Sequence, residues 1–392
     1  MKILWVNPSF LDYRVPLYKC INDKLEGDFC LIFSRRRVPE RCVKKVEESI
    51  AGNALSLISE KVVSIGRNSD FANRGLSIPL PKGLYKLIKS AVPDIVIAEG
   101  FFQFTPWAVW YSFIHRIPLL IAYERTAHTE RNCPLWRRLY RRFIGLFVDG
   151  YIANGQLTKE YLMSQGVRPE NIFTGGMCAD SKGLSEQVSA LSSDEKLQLK
   201  KTLVGEQGAG LVYIFVGRMI ELKGVNHLLN AWNDHIVAHP NDKLLLVGEG
   251  PLLEEYKASY SHQSIIFTGG IDYAEVYKYY AISDVFIIPT LEDNWSLVVP
   301  EAMACGLPVA CSIYNGCHPE LVKKDENGIT FDPLNEDNIL ETLAYFHNQD
   351  LEKMGKMSIE IESEYNPEKT ADNIINAVMS VYAKKVKKNK LD

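Results

Sequence analysis

The sequence predicts an α/β protein made of two doubly wound, Rossmann-like domains. Three observations carry that expectation. Short runs rich in Ile, Val and Leu recur along the 392 residues, each ending at Gly, Pro or a polar residue and each followed by a helical pattern. Continuous apolar strands alternating with helices are the mark of parallel sheets covered on both faces. The chain also exceeds the roughly 250–300 residues at which one hydrophobic core stops growing, and a polar, Ser/Gly-rich stretch between Met177 and Gly210 supplies a break.

In the first half the strand runs are KILWVN (2–7), DIVIAEG (94–100), PLLIAYE (118–124) and GYIANG (150–155). In the second they are LVYIFVG (211–217), KLLLVGEG (243–250), SIIFTGG (264–270), DVFIIPT (284–290) and LPVACS (307–312). Phe101 to Tyr123 is the most apolar stretch, but Gln103, Pro106, His115, Arg116 and Pro118 interrupt it, so it reads as a buried helix followed by a strand and not as a bilayer span. The expected division is a first domain over 1–182, a second over 183–372, and a last segment, 373–392, that is a helix with a basic tail. Ala371, Ile374, Ile375, Ala377, Val378 and Val381 give that helix an apolar stripe, which needs a surface to lie on, expected on the first domain.

Composition sets bounds on function. With 46% hydrophobic and 23% charged residues the chain has the balance of a water-soluble protein. The net charge of −4 hides an asymmetry: residues 1–182 carry 26 Lys+Arg against 17 Asp+Glu, a balance of +9, and residues 183–392 carry 18 against 31, a balance of −13. A basic first half attracts an anionic membrane surface or an acidic substrate. No nucleic-acid motif accompanies it. Eight cysteines without a Cys-x-x-Cys fit a reducing cytoplasm, and the equal spacing of Cys305, Cys311 and Cys317 before His318 matches no common metal-ligand pattern, so buried structural thiols are expected. The start, MKILWVNPSF, lacks a signal-peptide core. In LWRRLYRRF (135–143), Trp136, Leu139, Tyr140 and Phe143 share one helical face flanked by arginines; this suits an anionic lipid surface, or a core-facing helix with its arginines in solvent.

Two stretches carry chemistry. Gly217-Arg218 ends a strand run and Lys223-Gly224 follows five residues on, so the glycine admits a ligand close to the backbone and the two cations bracket a diphosphate. In TLEDNWSLVVPEAMACG (290–306), Pro300 near the helix start and Gly306 after its end mark a short helix, and the N–H groups of Ser296, Leu297 and Val298 with the positive helix end favour phosphate oxygens. Glu301 sits in its first turn. An acid there also stabilises the helix end for purely structural reasons.

These segments, with LLLVGEGPLLEEY (244–256) and FTGGIDYAEVYKYYAISDVFIIPT (267–290), resemble the donor-binding domain of family 4 glycosyltransferases of the GT-B fold, over about 211–330; over 1–180 the resemblance rests on strand order and a few positions. The family pattern is an acid, seven residues and a glutamate. Counting back from Glu301 lands on Asp293, where the family usually has glutamate, and leaves Glu292 as a solvent-facing neighbour. The resemblance implies two domains facing a central cleft, and it implies that Asp293 contacts donor-sugar hydroxyls, Glu301 holds the ribose, Arg218 and Lys223 stabilise the leaving diphosphate, and Gly217 and Gly269 line the donor pocket. It further implies that His128, just after the PLLIAYE strand, faces the donor sugar.

The first domain departs from the family in having no glycine in NPSFLDYRVPLY (7–18), so that Asn7, Ser9, Tyr13 or Arg14 is left to line the acceptor side. No Asp-x-Asp occurs, and the resemblance implies a reaction without bound metal or cofactor, the donor being a nucleotide sugar, UDP-sugar before GDP-sugar. The resulting expectation is a retaining hexosyltransferase-type enzyme acting on a sugar or lipid-linked acceptor in cell-surface polysaccharide or glycolipid synthesis, cytoplasmic and peripheral on the inner face of the membrane. The alternatives are a sugar-nucleotide epimerase of the same architecture, a non-catalytic sugar-nucleotide binder, and a nicotinamide oxidoreductase, which would want a Gly-x-Gly-x-x-Gly after the first strand that this chain lacks.

Overall fold

The computed structural model describes residues 1–66, 75–205 and 210–389; positions 390–392, the end of the expected basic tail, lie outside the described residues. Contacts divide the chain into two compact units, Met1–Cys178 together with Asn366 onward, and Ala179–Tyr365. The sequence reading put these divisions at 182 and 373.

The first unit is built on a parallel sheet of β1 (Ile3–Val6), β2 (Phe29–Ser34), β3 (Ala54–Leu57), β6 (Ile95–Glu99), β7 (Leu119–Tyr123), β8 (Gly150–Ala153) and β9 (Ile172–Phe173), in the order β3-β2-β1-β6-β7-β8-β9. The central strands β1, β2 and β7 are buried from end to end, which is why they read as unbroken apolar runs. An antiparallel ribbon, β4 (Glu60–Gly66) with β5 (Gly75–Pro81), stands apart from this sheet. The helix Pro367–Asn389 closes the unit: Ala371, Ile374, Ala377, Val378 and Val381 pack with Leu17, Tyr18 and Ile21 of the helix Arg14–Lys24. Lys24 pairs with Asp372 and Lys385 with Asp149, each at 2.8 Å, at its two ends.

Two expectations for this unit need correction. The helix Thr105–His115 precedes β7 as read, but it is not wholly buried, since Trp110, Phe113 and Ile114 are exposed. On the helix Leu135–Gly145, Arg137 and Arg141 face inward, while Leu135, Trp136, Leu139 and Phe143 are exposed. The cause is Glu130, fully buried beneath the helix: Arg141 binds its two oxygens at 2.5 and 2.9 Å, and Arg125 approaches at 3.2 Å. A buried carboxylate needs a cation more than a leucine needs shelter.

The second unit is a parallel sheet of β10 (Val212–Val216), β11 (Lys243–Val247), β12 (Ile265–Gly269), β13 (Val285–Ile288), β14 (Val309–Ser312) and β15 (Gly328–Phe331), ordered β12-β11-β10-β13-β14-β15. Strand order reverses between β10 and β13 here and between β1 and β6 in the first unit. Loops leaving the carboxyl ends of such a strand pair run to opposite sides of the sheet and open a crevice there. The candidate residues of the second unit lie on or beside those loops, except Gly269, which ends the edge strand β12.

Candidate functional site

Gly217 follows β10, its amide donating to Val247 at 2.9 Å, so the Arg218 loop starts from the middle of the sheet. The neighbouring turn must be glycine: at Gly248 φ is +136°, and a Cβ would stand 2.0 Å from the carbonyl oxygen of Gly217. Gly224 has the same constraint at the far end of the loop, with φ +64° and a would-be Cβ 2.1 Å from the carbonyl oxygen of Pro289. That close approach presses the Arg218–Lys223 loop onto the loop after β13, and Leu291 donates its amide to Leu222 at 2.8 Å across the seam.

The seam brings Lys223 and Asp293 together. Lys223 Nζ lies 2.6 Å from Asp293 Oδ2, with both side chains less than a fifth exposed. Ser296 Oγ donates to the same oxygen at 2.5 Å and the Trp295 amide to Oδ1 at 3.0 Å. Burial favours the neutral acid, but the Lys223 charge and these donors outweigh it and hold the Asp293 carboxyl below its usual range. The loop is pinned on its other side by the Asp293 amide to Tyr314 at 3.2 Å and the Gly316 amide to Asp293 at 2.9 Å. Glu292, expected to face solvent, is instead buried at 6% exposure, because the backbone bonds of Leu291 and Asp293 hold its segment between two neighbouring loops.

A cavity of about 370 Å³ at the ends of β10 and β11 is lined by Gly217, Arg218, Glu249, Tyr273, Val298 and Glu301, among others. The structure therefore brings Gly217, Arg218, Val298 and Glu301 into one wall, with Lys223, Asp293 and Ser296 forming the adjoining network. Gly269 ends β12 with its carbonyl accepting from Gly248 at 2.9 Å, and it is the next residue, Gly270, that lines the cavity. Ser296 does not offer its amide to a ligand, because that N–H donates to Asn315 at 3.3 Å. Leu297 and Val298 open the helix Val298–Ala304, where first-turn amides have no partner within the helix.

Glu301 accepts from Tyr273 at 3.2 Å and from Tyr280 at 3.5 Å. Burial pushes its carboxyl up to about 7, the two phenols hold it down in part, and Asp180 adds to the rise. Tyr273, Tyr280 and Glu249 escaped the sequence reading, although all stand in the quoted segments 244–256 and 267–290. A tyrosine in a helical run reads as packing until its hydroxyl is seen on a carboxylate.

In the first unit a cavity of about 290 Å³ lies at the reversal between β1 and β6. Asn7, Ser9, Tyr13 and Arg14, left as alternatives by the sequence, all line it, joined by Glu99 and Glu124. Arg14 is buried, 3.7 Å from Glu99 and 3.3 Å from the carbonyl of Gly176. The Glu99 carboxyl is raised by burial and partly restored by Arg14, and it accepts from Trp5 Nε1 at 3.0 Å. His128 sits in the loop after β7, its carbonyl accepting from Arg131, and is not among the residues lining this cavity.

Residues 210–349 match the family model described as glycosyl transferases group 1. The sulfoquinovosyl transferase SQD2 of Arabidopsis thaliana is 29% identical over 305 residues, which is 74% of this chain and 57% of that protein. The alpha-monoglucosyldiacylglycerol synthase of Acholeplasma laidlawii is 28% identical over 182 residues, 45% of this chain and 44% of its own. The chain thus spans about half the length of the curated relatives it matches. The crystal structure of Anabaena Alr3699/HepE in complex with UDP superposes with a TM-score of 0.74 at 17% identity, covering 97% of this chain and 100% of that one. The chain has the two-domain GT-B fold of glycosyltransferases, and its second domain is similar over residues 210–349 to the glycosyl transferases group 1 family.

Proposed function

We propose that the protein is a glycosyltransferase that moves a hexose or related sugar from a nucleoside diphosphate donor to a sugar or lipid-linked acceptor, in polysaccharide or glycolipid synthesis. The observation that carries this reading is the single wall formed by Gly217, Arg218 and Glu301 at the strand reversal of the second unit, with the Lys223–Asp293 pair beside it. The similarity to a sulfoquinovosyl transferase, to a glucosyldiacylglycerol synthase and to a UDP-bound structure supports it, and favours a UDP-sugar.

In this reading Glu301 accepts the ribose hydroxyls in place of the tyrosines, and Arg218 and Lys223 meet the diphosphate. The bond from the sugar's anomeric carbon to the phosphate oxygen breaks, its electron pair stays on the diphosphate, and the two cations stabilise that growing charge. The acceptor oxygen forms the new bond on the same face, so its proton passes to the departing phosphate. Configuration is retained. Asp293, set by Lys223 and Ser296, orients sugar hydroxyls and carries no proton, and no metal or cofactor takes part. Within the first unit the polar cavity around Asn7, Tyr13, Arg14 and Glu124 receives the acceptor.

In this reading the protein sits on the cytoplasmic side of a membrane, and the exposed apolar face of the first unit supports peripheral attachment to a bilayer surface. Phe113 meets Phe147 at 5.7 Å between ring centroids, and Phe147 meets Phe143 at 5.5 Å, which joins the exposed faces of two helices into one patch. Exposed Arg138 and Arg142 lie on it and suit anionic headgroups. No helix among the described residues is long and apolar enough to cross a membrane. The functional test is to incubate the protein with a panel of nucleotide sugars, with and without acceptor lipids and oligosaccharides, and to follow nucleoside diphosphate release. Acceptor-dependent release is expected. Isomerisation of the donor without acceptor, or binding without turnover, would replace this reading by an epimerase or a binding protein.

A further inference from the structure

At the opposite end of the second sheet, Asp242 stands immediately before β11, and two imidazoles converge on it. His235, near the end of the helix Val225–Ala238, and His347, in the turn Phe346–Asn348 after the helix Glu336–Tyr345, each place Nε2 2.8 Å from Oδ2 of Asp242. The three ligand atoms lie within 4.8 Å of one another. We propose that His235, Asp242 and His347 form a binding site for a divalent transition-metal ion that clamps these two helices to the N-terminal end of β11.

The donor set is the first argument. Two imidazole nitrogens and one carboxylate oxygen select Zn²⁺, Ni²⁺, Co²⁺ or Cu²⁺ over Mg²⁺ or Ca²⁺, which prefer oxygen ligands. Geometry is the second. Around an ion with bonds of about 2.0–2.2 Å, neighbouring donors stand roughly 2.9–3.5 Å apart, and both nitrogen–oxygen separations are already close to that. Only the two nitrogens must draw together. His347 can supply the movement, because its side chain is 23% exposed and rides on a turn, whereas those of His235 and Asp242 are 2% and 1% exposed.

The third argument is the support behind the ligands. The other oxygen of Asp242 accepts from the Leu211 amide at 2.8 Å, and the His239 ring stacks on His347 at 3.9 Å and on His235 at 4.7 Å between centroids. Such outer partners orient metal ligands. Each imidazole carries a proton on Nε2 when it donates to Asp242; on metal binding that proton moves to Nδ1 or to solvent, and Nε2 gives its lone pair to the ion. The partial exposure of His347 provides the entry path.

The test uses the full chain, stripped of metal by a chelator that is then removed. Titration with Co²⁺ should give one ion per chain with visible absorption bands, and Zn²⁺ should abolish them by displacement. At a hundredfold excess over the dissociation constant, Zn²⁺ should raise the unfolding temperature of the second unit by roughly 5–10 °C. His347→Ala, at a partly exposed position, should fold, lose the bands, and weaken binding at least tenfold, with His347→Gln as a second variant in case the first is unstable. Failure of the unaltered protein to bind Co²⁺ or Zn²⁺ up to millimolar concentrations would overturn the proposal. So would binding that is the same in the His347 variants, which would mark ordinary surface histidines.

Discussion

If Glu301 holds the ribose as proposed, its titration ties ligand binding to pH, and a single substitution exposes the link. Its carboxyl is pushed up to about 7 by burial, against the pull of Tyr273 and Tyr280, yet accepting two ribose hydroxyls requires the ionised form. With a pKa of about 7, roughly 3% of the protein is competent near pH 5.5 and roughly 97% near pH 8.5, so affinity for UDP should rise about thirtyfold across that range. Glu301→Gln should bind weakly at every pH and lack the rise. Calorimetric titration of both proteins across the range gives the ratio of their affinities, from which the titration of the nucleotide's own phosphate cancels. Tyr273→Phe should move the midpoint upward, because the phenol's hydrogen bond favours the carboxylate.

Stability should move the opposite way. The folded protein keeps the Glu301 proton up to about pH 7, whereas the unfolded chain releases it near the ordinary value of 4.5, so the contribution is present below 4.5 and is lost between 4.5 and 7. Above that window Glu301→Gln should melt higher than the unaltered protein while binding UDP less well, a trade of stability for a working site. An affinity ratio that stays flat with pH would refute the role assigned to Glu301.

Three further outcomes follow from the same geometry. Arg218→Ala and Lys223→Ala should each lower turnover about a hundredfold or more, and Lys223→Ala should also destabilise, because it strips the cation from a buried Asp293; steady-state kinetics and melting of Lys223→Ala, Asp293→Ala and the double variant should show a coupling of roughly 0.5–3 kcal/mol. Glu292→Ala should cost about 1–3 kcal/mol of stability through loss of a buried acid's interactions, with the donor KM unchanged; a larger loss of turnover there than in Asp293→Ala would reverse the assignment of the functional acid. In flotation assays the protein should bind vesicles containing anionic lipid, with Trp136→Ser plus Phe143→Ser abolishing binding and Arg138→Gln plus Arg142→Gln removing its salt dependence; equal binding to neutral vesicles would dismiss the electrostatic part.

What the sequence disclosed and what it withheld follow from the same physics. All nine strand runs read from it are strands; eight are buried over nearly their whole length and so are apolar throughout, and the edge strand β12 is only partly buried. FCLIFS, which forms β2, has the same apolar character as those eight and is buried from end to end. The GITF segment of β15 is too short to stand out, and the β4–β5 ribbon carries a glycine at each inner end and two prolines, which read as turn. Arg137 and Arg141 show a deeper limit. A helical wheel sorts residues onto faces but does not say which face is the core, and here a loop residue outside the helix, Glu130, decides it.

The same limit explains why the candidate site was partly readable. The family pattern, counted back from Glu301, points to Asp293 and not Glu292, and the structure sets Asp293 against Lys223 and Ser296; the kinetic comparison of the two acids decides which one the donor meets. Spacing could not show that Lys223 would be the cation beside Asp293, since 70 residues separate them and only the parallel pairing of β10 with β13 makes their loops neighbours. Strand order is the property that converts two remote motifs into one wall: both loops leave the sheet where its order reverses, and the bare backbone at Gly224 lets them touch. The histidine cluster has no such local motif. His235 and Asp242 are close in sequence, but His347 lies 105 residues from Asp242 and reaches it only because two helices pack side by side. Chemistry carried by one loop is therefore open to reading from the sequence, while chemistry assembled from several elements becomes visible only with the fold.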